Sequence, residues 1–324
     1  MNKRQPFFTH PMRPFFTASA LLAAVAALSF FASPNAIILH RQIFLEFMLP
    51  AAYGGFLMAA MLEWTGYQGS LKNTAFLLGA LLMLLAAFTV FQTAYAYTND
   101  LNLLRAQVHL NMAAVMFVSF RVSIFLGNEA LKECRLKDPV FIPNMVYKNI
   151  AITFLLLYAA AELWLPLQTA AFAALAVGLV LLAKLRELHH HELLRKHYVR
   201  TCYWLQLLGA AGYLRIGFAK LTGQAVGTPP HLITLGAIFG GVMMVWLTAG
   251  LWHSGFTKLN YPRLCRIAVP CLFLSALTRT VWVKYAPGWL LTAIPALLLA
   301  TVFVLYLFAF IPIFNAHAFT DDPE

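Results

Sequence analysis

Apolar runs of membrane-crossing length recur along this chain from residue 14 to residue 312, with only short polar breaks between them. A helix needs about 20 mostly apolar residues to cross about 30 Å of hydrocarbon. Inside hydrocarbon every backbone N–H and C=O must be satisfied within the segment, which leaves a helix as the way for such a run to fold. Ten windows meet the length: 14–33, 44–64, 74–97, 101–120, 149–166, 168–185, 199–219, 231–252, 264–284 and 288–312. The break between the third and fourth rests on the turn-like cluster Thr98-Asn99-Asp100, with Asn102 just beyond it. Leu165-Pro166-Leu167-Gln168 is the only break between the fifth and sixth, and it predicts a tight helical hairpin. The expectation is an all-α, polytopic transmembrane bundle of about ten spans, with residues 1–324 forming a single integral membrane domain. Composition excludes the soluble alternative: 61% of the residues are hydrophobic and 11% charged, against about 25% charged in soluble domains.

The formal charge of +11 would suggest nucleic acid in a soluble protein. Here the basic residues sit between apolar runs, where they record orientation in a lipid surrounding. With the amino terminus placed in the cytoplasm, all of the 23 Lys and Arg except Arg41, Arg105, Arg215, Lys220, Arg279 and Lys284 fall on inside segments. That asymmetry predicts a multi-pass protein with a cytoplasmic amino terminus. The first span has a basic flank, but its apolar region exceeds the roughly 7–15 residues of a signal peptide, so it reads as an uncleaved anchor. Cys134, Cys202, Cys265 and Cys271 show no CxxC spacing and read as packed thiols. There is no internal repeat, no low-complexity tract and no phosphate-binding glycine loop, and the polar segments are too small for an ATPase or a kinase.

Chemistry must then come from side chains in the bundle or at its rims. Ionisable groups inside spans are costly and mark candidate sites. Arg105 and His109 are four apart, on one face of the fourth span. Glu46 lies just inside the second span and calls for a cationic partner, Arg41 or Arg105, or a bound cation; Glu162 reads as interfacial. Neutral imidazole ligates haem iron and copper alike, and His40, His109 and His231 all fall at the outer side. His253 is 22 residues beyond His231, about 33 Å along a helix, so the two belong to separate sites. Against ligation stands the role of interfacial hydrogen bonders. His189, His190, His191 and His197 lie in a basic connection that reads as solvated. Met243 and Met244 could offer thioethers to copper(I) with His253, though at least one of them reads as a packing residue, and Gly236, Gly240 and Gly241 read as a close packing face. No pairing of nucleophile and base is discernible, so no enzymatic reaction is assigned.

Four stretches together resemble the NnrS family of bacterial membrane proteins: MRPFFTASALLAA from Met12, LHRQIFLEFMLPAAYGGFLMAAMLEWTG from Leu39, FRVSIFLGNEAL from Phe120 and HLITLGAIFGGVMMVWLTAGLWHSG from His231. The last is the most specific, with two histidines, Leu-Gly-Ala-Ile and His-Ser-Gly in register. The resemblance implies a multi-pass protein of the bacterial inner (cytoplasmic) membrane that binds haem and copper and acts in the response to nitric oxide and nitrosative stress, near denitrification. On these positions His40 and His231 are the haem candidates, Arg105 and His109 lie beside them as cofactor-binding candidates, and His253 is the candidate for an inner copper site. The chain departs from the family pattern of a His-x-His-Glu cluster at Gln42 and Ile43. It has Gln206 where the family has a further histidine, and Thr248 and Phe256 where basic residues flank His-Ser-Gly. Two other readings stand beside this one: a cofactor-free transporter using Glu46, Arg105 and His109, and an assembly or interaction subunit that has lost the ligands.

Overall fold

The computed structural model describes residues 7, 10, 12–31, 36–65, 101–134, 140–224, 226–227, 230–281 and 287–320. Most of these residues are helical, with no strand among them. The chain forms α1 (Met12–Leu28) with a 3₁₀ turn at Ser29–Phe31, α2 (Ala36–Gln42), a π-helical segment at Ile43–Met48 and α3 (Leu49–Thr65). It continues with α4 (Leu101–Glu133), α5 (Met145–Trp164), α6 (Leu167–Leu185), a single turn α7 (His191–Leu194) and α8 (His197–Leu221). A second π segment at Leu232–Ile238 leads into α9 (Phe239–Trp252), followed by α10 (Arg263–Val281) and α11 (Gly288–Ala316).

Five helices among the described residues are long and apolar enough to cross a membrane: Asn102–Glu133, Met145–Trp164, Leu167–Leu185, Leu232–Trp252 and Gly288–Ala316. They match the fourth, fifth, sixth, eighth and tenth windows. Met12–Leu28 is a shorter apolar helix at the first window. The third window and its Thr98-Asn99-Asp100 break lie outside the described residues. The fourth window ends at Phe120, yet α4 continues to Glu133, a length of about 50 Å at 1.5 Å per residue. The reason is that the helical core stripe does not stop: Met116, Phe120, Leu126 and Ala130 are all buried. The hairpin between α5 and α6 is as tight as Pro166 predicts, with Leu165 and Pro166 alone joining the two helices.

The chain divides into two compact units that interleave in sequence: Met1–Thr93 with Val245–Cys271 and Thr292–Glu324, and Ala94–Met244 with Leu272–Leu291. In the second unit α6 and α8 meet through small residues. A Cβ added at Gly217 would stand 2.9 Å from the Ala171 carbonyl, so nothing larger fits there. The π segment lies on α8 in the same way, with Leu208 filling the space beside Gly236. Such approaches carry helix association where lipid is as apolar as the side chains. At the far end of α4 the Asn128 side chain grips the returning chain: its Oδ1 accepts from Phe141 N–H at 2.8 Å. The Phe141 ring covers Gly127, where a side chain would collide with it. Asn144 then caps α5, its Oδ1 accepting from Val146 N–H.

In the first unit Trp246 is fully buried, against Phe16, Phe303 and Tyr306 at ring separations of 5.9, 6.0 and 5.0 Å. Arg13, at the start of α1, is also fully buried.

Candidate functional site

Three helices of the second unit each point a pair of polar groups at one place. On α4 these are Arg105 and His109, four apart; on α5, Tyr158 and Glu162, four apart; on α8, Tyr213 and Lys220, two turns apart. Spacings of four and seven return to the same helix face, so each pair is a short polar stripe on an otherwise apolar helix. Lys220 Nζ donates to Glu162 Oε2 at 2.5 Å, with the two side chains 4% and 1% exposed. Arg105 Nη1 stands 3.5 Å from the other oxygen, Oε1, and donates to Asn102 Oδ1 at 3.1 Å. Below this pair His109 shares a 3.0 Å hydrogen bond with the Tyr213 hydroxyl. Its ring lies 4.4 Å from that of Tyr158, and the Lys220 ammonium stands over the same Tyr158 ring, 5.6 Å from its centroid. The ammonium over an aromatic face adds attraction to that of the ion pair.

His231 belongs to the same unit. It directly precedes the π segment, whose Leu232 and Ile233 pack on Gly212 of α8. It is half-buried. Glu162, near the end of its span, is buried between helices. Its two cations come from α4 and α8, and a contact between helices cannot be seen in a run of sequence. Arg105 accordingly pairs with Glu162 and not with Glu46. Glu46 is half-buried within Ile43–Met48 and forms no ion pair among the described residues. Tyr158, Tyr213 and Lys220 carry no sequence signal of a site, because a Tyr or a terminal Lys on an apolar helix looks like an ordinary interface anchor.

The first unit holds His40 and His253. His40 lies three residues before the π segment Ile43–Met48, and His231 directly precedes Leu232–Ile238. Single π turns inside helices concentrate at functional sites. His40 Nδ1 is 2.9 Å from the Ala26 carbonyl, and since a carbonyl only accepts, Nδ1 carries the proton and Nε2 keeps its lone pair. His253 is oriented likewise by the Thr320 carbonyl at 3.0 Å. This is the arrangement that holds metal-ligating imidazoles, with one nitrogen tied to a carbonyl and the other presenting its lone pair. His253 also packs in parallel on Phe319 at 4.9 Å, and His10 packs on that ring at 3.8 Å.

His10 has the opposite tautomer. Its Nδ1 accepts from Met12 N–H at 3.1 Å, so Nε2 bears the hydrogen and is not a ligand nitrogen. Burial, with His253 and Arg13 adding to it, pushes the His10 imidazole down to about 3. The unfolded chain takes up this proton near the ordinary value of 6.5 and the folded chain does not. Stability is therefore expected to fall as pH drops from 6.5 towards 3, by up to about 1.4 kcal/mol per pH unit. Denaturant unfolding across that range should show a flatter profile for His10→Gln; identical profiles would refute the assignment.

Met243 and Met244 are both buried packing residues, and Gly236, Gly240 and Gly241 each face a neighbouring side chain at or within 3.0 Å of an added Cβ. Among the described residues no three His, Cys, Asp or Glu side chains gather as a metal-binding group. A family model described as NnrS protein matches residues 6–75 and 67–317. No curated protein and no solved structure matches the chain.

Proposed function

The chain belongs to the NnrS family, and from that premise we propose that it is a multi-pass protein of the bacterial inner membrane, amino terminus in the cytoplasm, that binds haem and acts in the response to nitric oxide. The observation that carries the haem assignment is the orientation of His40, whose Nδ1 is tied to the Ala26 carbonyl, so that Nε2 presents a lone pair beside a π turn. His40 would hold the iron. His231, beside its own π turn, is the second candidate ligand. Bound haem would supply an iron coordination position for a small apolar ligand such as nitric oxide. Arg105, half-exposed, and His109, buried, would act as supporting polar groups in the second unit. Copper is the other group this reading implies. His253 would offer it one oriented nitrogen, and a single imidazole suits a labile site more than a closed cage.

The test is a reduced-minus-oxidised absorption spectrum with a metal assay on detergent-purified protein. The wild type is expected to carry stoichiometric haem and His40→Ala to lose it, while His253→Ala keeps the haem spectrum and lowers any copper. Full haem in His40→Ala would refute the ligand assignment, and full haem in His231→Ala would remove that residue from the ligand set. Protein free of both groups, from cells well supplied with them, would turn the reading towards transport or assembly.

A further inference from the structure

The charge of the α4–α5–α8 cluster does not close on itself. Two cations, Arg105 and Lys220, share one carboxylate, Glu162, which leaves one positive charge in excess. The buried Lys220–Glu162 pair is the shorter contact, at 2.5 Å, so the excess resides on Arg105 at 3.5 Å. The contacts of Arg105 to Asn102 and to Glu162 both use Nη1. Its Nη2 and Nε donors form no contact among the described residues, and the side chain is 36% exposed. The guanidinium therefore turns one edge inward and leaves the other open at a place of reduced dielectric, where an unmatched charge is costly.

We propose that the open edge of Arg105 is a binding site for a carboxylate. The Nη2–Nε edge offers parallel N–H groups that match two coplanar oxygens, the bidentate pairing for which Arg is suited and Lys is not. A single negative charge there neutralises the cluster. Glu162 stands on the other side of the guanidinium and competes for it, which lowers the affinity for the incoming anion. The carboxylate is that of a small free acid or of one end of an apolar ligand entering from the bilayer; haem propionates belong to the second class, but the site does not depend on haem being bound.

The experiment is calorimetric titration of the full chain, purified in neutral detergent without haem, with formate and with decanoate at constant ionic strength. Saturable binding of at least one probe is expected. Arg105→Gln is expected to weaken it about 10- to 100-fold, the range of a hydrogen bond to a charged group. Arg105→Lys keeps the charge but not the fork and is expected to weaken it nearly as much. Arg105 is half-exposed, so these variants fold, as a circular dichroism spectrum checks. Equal affinity for both probes assigns the small acid, and decanoate binding at least tenfold tighter assigns the apolar ligand. No saturable heat with either probe, or unchanged affinity in Arg105→Gln, overturns the proposal. So does Arg105-dependent retention of phosphatidylglycerol with neither carboxylate bound, which would make the position a lipid-phosphate contact.

Discussion

Lys220→Met is expected to cost about 3–5 kcal/mol of stability, the range found when one partner of a buried ion pair is removed and the other is left without it. Glu162 and Lys220 are both buried, and the carboxylate would keep only Arg105, a longer contact from a half-exposed side chain. Glu162→Leu alone should cost a similar amount, because it leaves Lys220 buried against the Tyr158 ring without a counter-charge. The double variant is the informative one. Replacing both partners with apolar residues of similar volume removes the desolvation penalty along with the attraction, and is expected to lie within about 1 kcal/mol of the wild type. Unfolding titrations in mixed micelles give the four corners of this double-mutant cycle, with a coupling of several kcal/mol expected. Additive losses would show that the two side chains act separately and that the ion pair is not what joins α5 to α8.

Much of the architecture is legible in the sequence because a membrane-spanning helix is a local object. Its length, its apolar run and a break such as Pro166 are all properties of consecutive residues, and the α5–α6 hairpin falls where Pro166 predicts it. Helix ends beyond the hydrocarbon are less legible. The fourth window stops at Phe120 because hydropathy falls there, but α4 runs to Glu133, held by packing and by the Asn128–Phe141 clasp, neither of which hydropathy measures. The two π segments are likewise not encoded as a residue pattern that differs from an α-helix. They register only as a shift of which side chains share a face, after His40 in one case and after His231 in the other.

The candidate site divides along the same line. Arg105 and His109 are visible because ionisable groups stand out against an apolar span. Their partners Tyr158, Glu162, Tyr213 and Lys220 come from α5 and α8, between about 50 and 115 residues later, and no local rule connects residues at that separation. The tautomers of His40 and His253 are set by the carbonyls of Ala26 and Thr320, backbone groups that have no identity in a sequence. The histidine most open to misreading is His10, close to His253 and joined to it through Phe319, yet with its proton on the wrong nitrogen for a ligand.

Arg13→Met should destabilise the first unit by about 3–5 kcal/mol, since several buried carbonyls would lose their donor at once. Arg13 Nη1 donates to the carbonyls of Phe314 at 3.0 Å and His317 at 2.6 Å. Nη2 donates to the His253 carbonyl and to Ser254 Oγ, both at 3.3 Å. The first two acceptors lie at the end of α11, and the His253 carbonyl and Ser254 hydroxyl lie just beyond α9; carbonyls at such helix ends have no partner within the helix, and the helix dipole there is negative. One guanidinium at the start of α1 thus serves two helix ends, and its ring contact with Phe314 at 5.3 Å adds to this. The geometry also explains why Lys would not replace it. An ammonium keeps the charge but cannot spread donors over carbonyls on both sides, so Arg13→Lys should recover about half of the loss. The turn it holds is the one that carries His253, whose backbone also accepts from Thr320 N–H at 3.1 Å. Arg13→Met should therefore increase carbethoxylation of His253 by diethylpyrocarbonate, measured by mass spectrometry of the folded protein, while leaving His109, in the other unit, protected. A stability loss below about 1 kcal/mol with unchanged His253 labelling would mean that water replaces the guanidinium at these helix ends, and that Arg13 marks orientation in the membrane without organising the fold.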